Sequence, residues 1–314
     1  LRNLTPLDSG LLNITPDQSI VGRINVSKRI LNGALTFDTY YEVGSGLEQK
    51  RSFIYLEVNS GQGVYTWVDY NNDGVKDLNE FETATFIDQA NYIRIFTPSN
   101  AYQKTYSNEY NQSLFWRPEL IWNKKTGFLK LLSCVSNQLR IRSTRKLNTL
   151  EVSDLLNPLN VDVLDNTLIT SAYSVRNSLY LFRTSAKFNG HYIINKNLNK
   201  SLLATGFDAK AIEFNELMFR WNIVPSFSLK TEGQQGNKTS SVDYTQGRNY
   251  RIRYQFVRME LSYQPSTNYR MAIDSKLSSK ANESIYGGEQ SNSKELGVEF
   301  KYNTTEKGSI QGSL

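Results

Sequence analysis

Cysteine and histidine are almost absent from this sequence of 314 residues. Cys134 is the only cysteine, which excludes an intrachain disulfide and a zinc site built from cysteines. His191 is the only histidine, which excludes a His-rich metal site. Most histidine-based catalysis would therefore have to depend on that one residue.

Long apolar runs are missing as well, and none approaches the roughly 20 residues of a transmembrane helix. No signal peptide is recognisable, and the chain begins at Leu1 and ends inside an apparent strand. We therefore expect an internal fragment of a longer protein.

Proline is scarce, with 7 residues, whereas aromatic residues make up 12% of the chain, including 19 Tyr and 15 Phe. Disordered chains are poor in aromatic residues, so the composition argues against disorder. Abundant Tyr, Phe and Thr together with little proline favour many β-strands.

The charge is weakly basic, with 36 Lys and Arg against 30 Asp and Glu and a net charge of +6. A nucleic-acid-binding protein usually clusters its basic residues. Here they alternate with apolar residues, which is typical of the wet face of a sheet. We therefore expect no nucleic-acid partner.

A period of two dominates the second half of the chain. In 217–229 the apolar side chains occupy odd positions, and similar alternation recurs in 177–192, 269–277 and 295–302. The apolar parity changes near Phe256 and Val257, which predicts a β-bulge. Helical periodicity is weak, and residues 149–156 are the best helix candidate.

Connection lengths suggest an architecture for these strands. Short turns are predicted at 195–200, 264–268 and 303–308, and long polar loops at 234–247 and 279–293. Short turns at one end and long loops at the other are typical of outer-membrane barrels. We predict an all-β fold of long antiparallel strands, either an outer-membrane β-barrel or a barrel-like extended sheet, with a soluble β-sandwich as the alternative.

Three regions are expected along the chain. Residues 1–147 form a β-rich region that carries an acidic loop, 148–166 form a connecting segment in which strand signals lapse, and 167–314 form an antiparallel meander. The charged faces of the meander would line a lumen in a barrel and would face bulk water in a sandwich.

The acidic loop at residues 69–80 reads DYNNDGVKDLNE. Counted as a twelve-residue calcium loop, it places oxygen ligands at positions 1, 3, 5, 7, 9 and 12 and a glycine, Gly74, at the sharp turn of position 6. The predicted metal ligands are Asp69, Asn71, Asp73, the Val75 carbonyl, Asp77 and Glu80. Calcium is the expected cofactor, because these are hard oxygen ligands wrapped around one point.

This loop resembles the EF-hand family, and more closely its bacterial relatives with a DxNxDG core. Two departures matter: Lys76 stands where paired EF-hands carry an aliphatic residue, and the segment 65–68 that enters the loop is typical of a strand. We therefore expect a solitary loop that acts as a structural clip.

The wider segment GQGVYTWVDYNNDGVKDLNEFE, followed by DQANYIRIFTP, resembles large uncharacterised surface or outer-membrane proteins of Bacteroidetes. The resemblance covers about residues 44–115. It implies location in the outer membrane or at the cell surface, with the outer membrane or other envelope proteins as partners, and it implies no activity.

Enzymatic signals are weak. Glu80 with Glu82, or Asp69 with Asp73, could form a carboxylate pair of a glycosidase, but calcium binding explains Asp69, Asp73 and Glu80 better. Ser185 and His191 would be roughly 20 Å apart along a strand, too far for a nucleophile and its base. We predict a structural or transport-related protein without enzymatic activity.

Two other functions remain open. A surface-displayed adhesin or glycan-binding module would present its charged strand faces to solvent. A carbohydrate-active enzyme would need two carboxylates roughly 5–10 Å apart in a cleft.

Overall fold

A computed structural model describes residues 2–4, 17–70, 73–84, 86–149, 157–158, 167–203, 206–242, 249–304 and 308–313. The strands of the first half are β1 (Arg2–Leu4), β2 (Asp17–Ser19), β3 (Val21–Ile30), β4 (Leu35–Glu57), β5 (Tyr65–Trp67), β6 (Phe81–Thr83), β7 (Tyr92–Trp116) and β8 (Val135–Leu147). Those of the second half are β9 (Leu168–Leu181), β10 (Phe188–Leu203), β11 (Gly206–Val224), β12 (Phe227–Val242), β13 (Tyr250–Tyr263), β14 (Tyr269–Asn282), β15 (Gln290–Thr304) and β16 (Gly308–Ser313).

The helices in the described part of the chain are short. They are α1 (Glu119–Trp122), α2 (Phe128–Leu132) and four 3₁₀ helices at Leu31–Gly33, Leu78–Glu80, Ile87–Gln89 and Ser284–Tyr286. None of these helices is long and apolar enough to cross a membrane. The helix predicted at 149–156 lies, except for its first residue, outside the described residues.

Apart from β1 and β2, which pair with each other, the strands form one large antiparallel sheet. This confirms the predicted all-β fold of long antiparallel strands. Twelve strands follow one another as neighbours in the order β3-β4-β7-β8-β9-β10-β11-β12-β13-β14-β15-β16, and β5 and β6 pair beside β7. Among the described residues no pairing joins β3 to β16, so the sheet is open rather than a closed barrel. Many apolar side chains of this sheet are exposed, among them Leu217, Leu261 and Leu296.

The cross-strand register gives this sheet two different faces, because directly opposed residues point to the same side. The apolar face is defined by the row Phe188, Trp221, Leu229, Leu261, Ile273 and Val298, with one residue from each of β10 to β15. The charged face is defined by the neighbouring row Asn189, Arg220, Lys230, Glu260, Asp274 and Gly297.

Turn positions match the sequence only in part. The turn at 264–268 is confirmed, because β13 ends at Tyr263 and β14 begins at Tyr269. Of the turn predicted at 303–308, the ends belong to β15 and β16, and residues 305–307 lie outside the described residues. The turn predicted at 195–200 is wrong, since these residues lie inside β10. The long loops predicted at 234–247 and 279–293 are shorter, because β12 continues to Val242 and β14 to Asn282.

The bulge predicted near Phe256 is also wrong. Phe256 opposes Gln234 and Ser278, Val257 opposes Gly233 and Leu277, and both ladders continue without a register shift. Phe256 therefore lies on the charged face, where the ammonium of Lys276 stands 6.0 Å from its ring centroid. The apolar parity changes because aromatic rings sit on the charged side, not because the backbone inserts a residue.

Strands β4 and β7 continue far beyond their neighbours. Pairing of β3 with β4 ends at Gly44, and pairing of β8 with β7 begins at Tyr106. Beyond these points β4 and β7 pair with each other up to Glu57 opposite Tyr92, and at Tyr92 strand β7 also pairs with Tyr65 of β5. This projecting hairpin, residues 45–57 and 92–106, is about 40 Å long at ~3.4 Å per residue.

Residues 58–91, termed the cap, connect the two strands of the projecting hairpin. Its core consists of Tyr65, Phe81 and Tyr92, each at most 6% exposed, with Tyr55 stacked on Phe81 at a centroid distance of 4.0 Å. The cap lies at the end of the sheet opposite the turns at 225–226 and 264–268, because connections of a meander alternate between its two ends.

The predicted connecting segment 148–166 is described only at its ends and at 157–158. Strands β8 and β9, which flank it, pair along 13 residues of β8. The large sheet therefore continues without interruption from one predicted region into the other.

Candidate metal centre

The acidic loop lies in the cap, between β5 and the 3₁₀ helix Leu78–Glu80. As expected, a strand enters the loop, and after Glu80 the chain continues as strand β6. Trp67 opposes Phe81 in the β5–β6 ladder, and the Val68 N–H donates to the Glu80 carbonyl at 2.9 Å. The two ends of the loop are therefore held together by backbone hydrogen bonds.

Three of the predicted ligands converge. One carboxylate oxygen from each of Asp69, Asp73 and Glu80 lies within 4.8 Å of the others. Calcium ligands lie 2.3–2.6 Å from the ion, so two ligands of one ion are up to about 5 Å apart. The spacing of the three oxygens fits a single calcium ion.

Glu80 is the most buried member of this group, at 2% exposure. Its Oε2 accepts hydrogen bonds from the Trp67 indole N–H at 2.9 Å and from the Asp77 backbone N–H at 3.3 Å. A buried carboxylate is costly unless it is paired, hydrogen-bonded or bound to a metal. Two donors orient this carboxylate without neutralising its charge.

Only one carboxylate oxygen of Asp69 accepts a hydrogen bond. Its Oδ2 accepts the Gly74 N–H at 2.9 Å, whereas its Oδ1 is buried and has no hydrogen-bond partner. Gly74 takes a positive φ of 70°, which favours glycine at this turn. The unpartnered Oδ1 is a free acceptor of the type that calcium binds.

The cationic side chain of the loop, Lys76, forms its ion pair with Glu57. The Lys76 ammonium contacts Glu57 at 3.0 Å and stands 5.1 Å from the ring centroid of Tyr92. Among the described residues, no lysine or arginine forms an ion pair with Asp69 or Glu80.

The remaining predicted ligands are placed differently. Asn71 lies outside the described residues. The Val75 carbonyl accepts the Asp77 N–H at 3.1 Å, and Asp77 is exposed and precedes the 3₁₀ helix. Asp69, Asp73 and Glu80 would hold a calcium ion, which would supply charge neutralisation and a link between β5 and β6.

Other candidate residues lie outside this group. Glu82 accepts a hydrogen bond from the Tyr70 hydroxyl. His191 lies on the charged face of the sheet, with Nε2 3.4 Å from Glu216. Ser185 Oγ accepts the Lys187 and Phe188 N–H groups at 3.3 and 3.4 Å, so it stabilises the turn before β10.

Sequence reasoning missed the role of Trp67. The indole N–H of this residue fixes the buried carboxylate of Glu80 from a strand position thirteen residues earlier. The only signal was the place of Trp67 immediately before the acidic loop, and that signal does not say where the ring points.

No protein-family model, curated protein or solved structure matches this chain. Its class is therefore defined by its own topology, an open antiparallel sheet of long strands with one projecting hairpin that carries an acidic cap.

Proposed function

We propose that this chain is part of a membrane-spanning sheet in the outer membrane of a Gram-negative bacterium, with a structural or transport-related role. The observation that carries the proposal is the apolar face, which crosses six neighbouring strands and is exposed among the described residues. In its defining row Trp221, Leu261, Ile273 and Val298 are 38–44% exposed. Soluble monomers rarely expose continuous apolar surface on this scale.

The height of the apolar face suits a bilayer. On β14 it runs from Tyr269 to Leu277, about 27 Å along the strand at ~3.4 Å per residue. A strand tilt of about 40° reduces this to about 21 Å, against an apolar band of about 25 Å in outer-membrane barrels. Beyond Leu277 the next residue on this side is Ser279, level with Gln255 and Gln235 on β13 and β12.

Aromatic side chains border the apolar face near the turns at 225–226 and 264–268. Phe227 contacts Tyr263, Tyr263 contacts Tyr269 and Tyr269 contacts Phe300, at centroid distances of 4.5, 6.2 and 5.3 Å. Aromatic rings with one polar edge favour the boundary between lipid and water. Such a row is typical of the girdle at one interface of an outer-membrane sheet.

The charged face has the opposite character. Arg270 contacts Glu260 at 2.9 Å and Glu299 at 4.0 Å, and Arg258 contacts Asp274 at 3.3 Å. These pairs are partly exposed, so they need water rather than lipid around them. A lumen or a water-filled cavity supplies that environment. The soluble alternative would need a second layer over the apolar face.

The membrane proposal has a consequence for the two edge strands of the sheet, β3 and β16. Unpaired backbone groups are not tolerated in contact with lipid. Strands β3 and β16 would therefore pair with each other or with further strands. The projecting hairpin would rise from the outer surface, away from the short turns, since long extensions of outer-membrane sheets lie on the extracellular side.

Calcium would act at the tip of the projecting hairpin as a structural clip. Binding to Asp69, Asp73 and Glu80 of the loop would neutralise three crowded carboxylates. The ion would order a cap that stands far from the sheet. The partners of the cap, at this distance from the membrane, would be other envelope proteins or the cell surface.

Insertion into vesicles tests the membrane proposal. Ile273→Lys places an ammonium on the apolar face, where a lysine at mid-bilayer costs about 2–4 kcal/mol. Ser262→Lys places the same ammonium on the charged face, because Ser262 follows Leu261, the residue of β13 that opposes Ile273. We expect Ile273→Lys to reduce the fraction of chain that folds into vesicles and Ser262→Lys to leave it unchanged.

Two results would contradict the proposal. One is equal insertion of both lysine variants and the original chain. The other is a chain that remains folded and monomeric in water without detergent.

A further inference from the structure

Two arginines face each other across β8 and β9. Arg140 directly opposes Arg176 in the antiparallel register, so both side chains lie on the charged face. Directly opposed residues have Cβ atoms about 4.5–5.5 Å apart, and like charges in such a pair are destabilising. Both side chains are exposed, so solvent screens part of this repulsion, and a bound anion would remove more of it.

Acidic side chains do not offset this repulsion by ion pairing. Among the described residues, no carboxylate lies within ion-pair distance of Arg140 or Arg176. The neutral Gln138 carbonyl accepts from the Arg140 guanidinium once the amide is oriented with its oxygen inward. The nearby Arg142 is already paired with Glu109, at 3.6 Å.

A third donor completes the row. Asn195 directly opposes Arg176 on β10, and it is 6% exposed. Its Nδ2 is buried and has no hydrogen-bond partner. Buried amide groups nearly always have a partner, and leaving one unpaired costs stability. Two guanidinium groups and an unpartnered amide N–H2 therefore lie in one row on three successive strands.

These side chains line a groove of ≈ 550 Å³, together with Ser174, Asn197 and Arg142. Asp38 also lines it from β4, where its carboxylate accepts a hydrogen bond from the Ser27 hydroxyl. Guanidinium groups bind carboxylates and phosphates through two parallel hydrogen bonds. We propose that Arg140, Arg176 and Asn195 form a binding site for an anionic group, a carboxylate or phosphate carried by a small solute. This goes beyond the membrane proposal, because it requires only that the charged face be wet.

Titration of the folded chain in neutral detergent at low salt tests the site. Inorganic phosphate and succinate, in separate calorimetric titrations, distinguish the phosphate source from the carboxylate source. We expect at least one of them to bind, and Arg176→Gln and Asn195→Ala each to weaken binding about tenfold or more, since a charge-assisted hydrogen bond is lost. Arg183→Gln removes one exposed charge elsewhere, beside Tyr180, and should leave binding unchanged.

Thermal unfolding provides a second measurement that does not depend on the heat of binding. Without anion, Arg140→Gln should raise the melting temperature, because it removes the like-charge opposition. With the bound anion, the original chain should gain stability and the Arg140→Gln/Arg176→Gln chain should not. The proposal is overturned if neither anion binds, or if Arg183→Gln weakens binding as much as Arg176→Gln.

Discussion

The Trp67 indole N–H donates a 2.9 Å hydrogen bond to the Glu80 carboxylate, joining strand β5 to the end of the 3₁₀ helix Leu78–Glu80. Glu80 is 2% exposed, so this donor replaces water that the carboxylate lost on folding. The same carboxylate lies beside Asp69 and Asp73. The orientation of the acidic group thus depends on a residue outside the loop.

Trp67→Phe should loosen the cap. The ring is kept, but the buried Glu80 carboxylate loses one donor, at a cost of about 1–3 kcal/mol. Hydrogen exchange of amides in 64–84 should accelerate while exchange in β11–β14 stays unchanged. Trp122→Phe is the control, because Trp122 packs edge-on against Trp116 far from the cap. Equal exchange in both variants would show that the bond contributes nothing.

Asp73→Asn should abolish the stabilisation of the cap by calcium. An extracellular loop with a Kd of about 10⁻⁴–10⁻³ M would gain about 1.4–2.7 kcal/mol at 10 mM calcium. Amide exchange in the cap, measured with calcium and with EGTA, should differ in the original chain and not in Asp73→Asn. Asp88→Asn, in the cap but outside the cluster, should retain the difference. If amide exchange in the cap of the original chain is the same with calcium and with EGTA, residues 69–80 are an ordinary surface turn.

Gly63→Ala should disrupt the attachment of the cap to β7. A Cβ at this position would lie 2.6 Å from the Ala90 carbonyl oxygen and from the Tyr92 nitrogen, and backbone atoms cannot yield easily. Limited proteolysis should cut 58–91 faster in this variant. Gly46→Ala is the control, since its Cβ would meet nothing within 4 Å. Unchanged cleavage of Gly63→Ala would show that the backbone can move apart at low cost.

Lys76→Met should raise the pKa of Glu57. The Lys76 ammonium, hydrogen-bonded to this carboxylate, holds the pKa of Glu57 below its ordinary value. The stability that the Lys76–Glu57 contact adds to the folded chain is therefore present above the pKa of Glu57 in the unfolded chain. It is lost as the pH falls through the lower pKa of Glu57 in the folded chain. Carboxyl NMR titration should show the rise at Glu57. The pKa of Glu289, lowered by a hydrogen bond from Asn282, is the internal control and should not move. An unchanged Glu57 titration would contradict the contact.

Alternation in the sequence predicted the strands because each is apolar on one side. Leu217, Phe219 and Trp221 alternate with polar residues, and all three are exposed on the apolar face. The pattern did not show that 217–229 contains a break. Strand β11 ends at Val224 and β12 begins at Phe227, and Pro225 between them has no N–H to donate to a ladder.

The candidate sites were predictable to different degrees. The spacing of Asp69, Asp73 and Glu80 brought these residues to notice because a loop is a local feature of the sequence. The pairing of Arg140 with Arg176 depends on the register between β8 and β9 across a connection of about twenty residues. Sequence spacing contains no information on such a register, because a slip of one residue reverses every face.

Fluorescence quenching in vesicles tests the lipid-facing role of the apolar face most directly. In a Cys134→Ser chain, Leu261→Cys and Ser262→Cys place the same polarity-sensitive label on neighbouring residues of opposite faces. We expect quenching by nitroxide lipids at 261 and by aqueous iodide at 262. Iodide quenching at both positions, without quenching by lipid at 261, would contradict it.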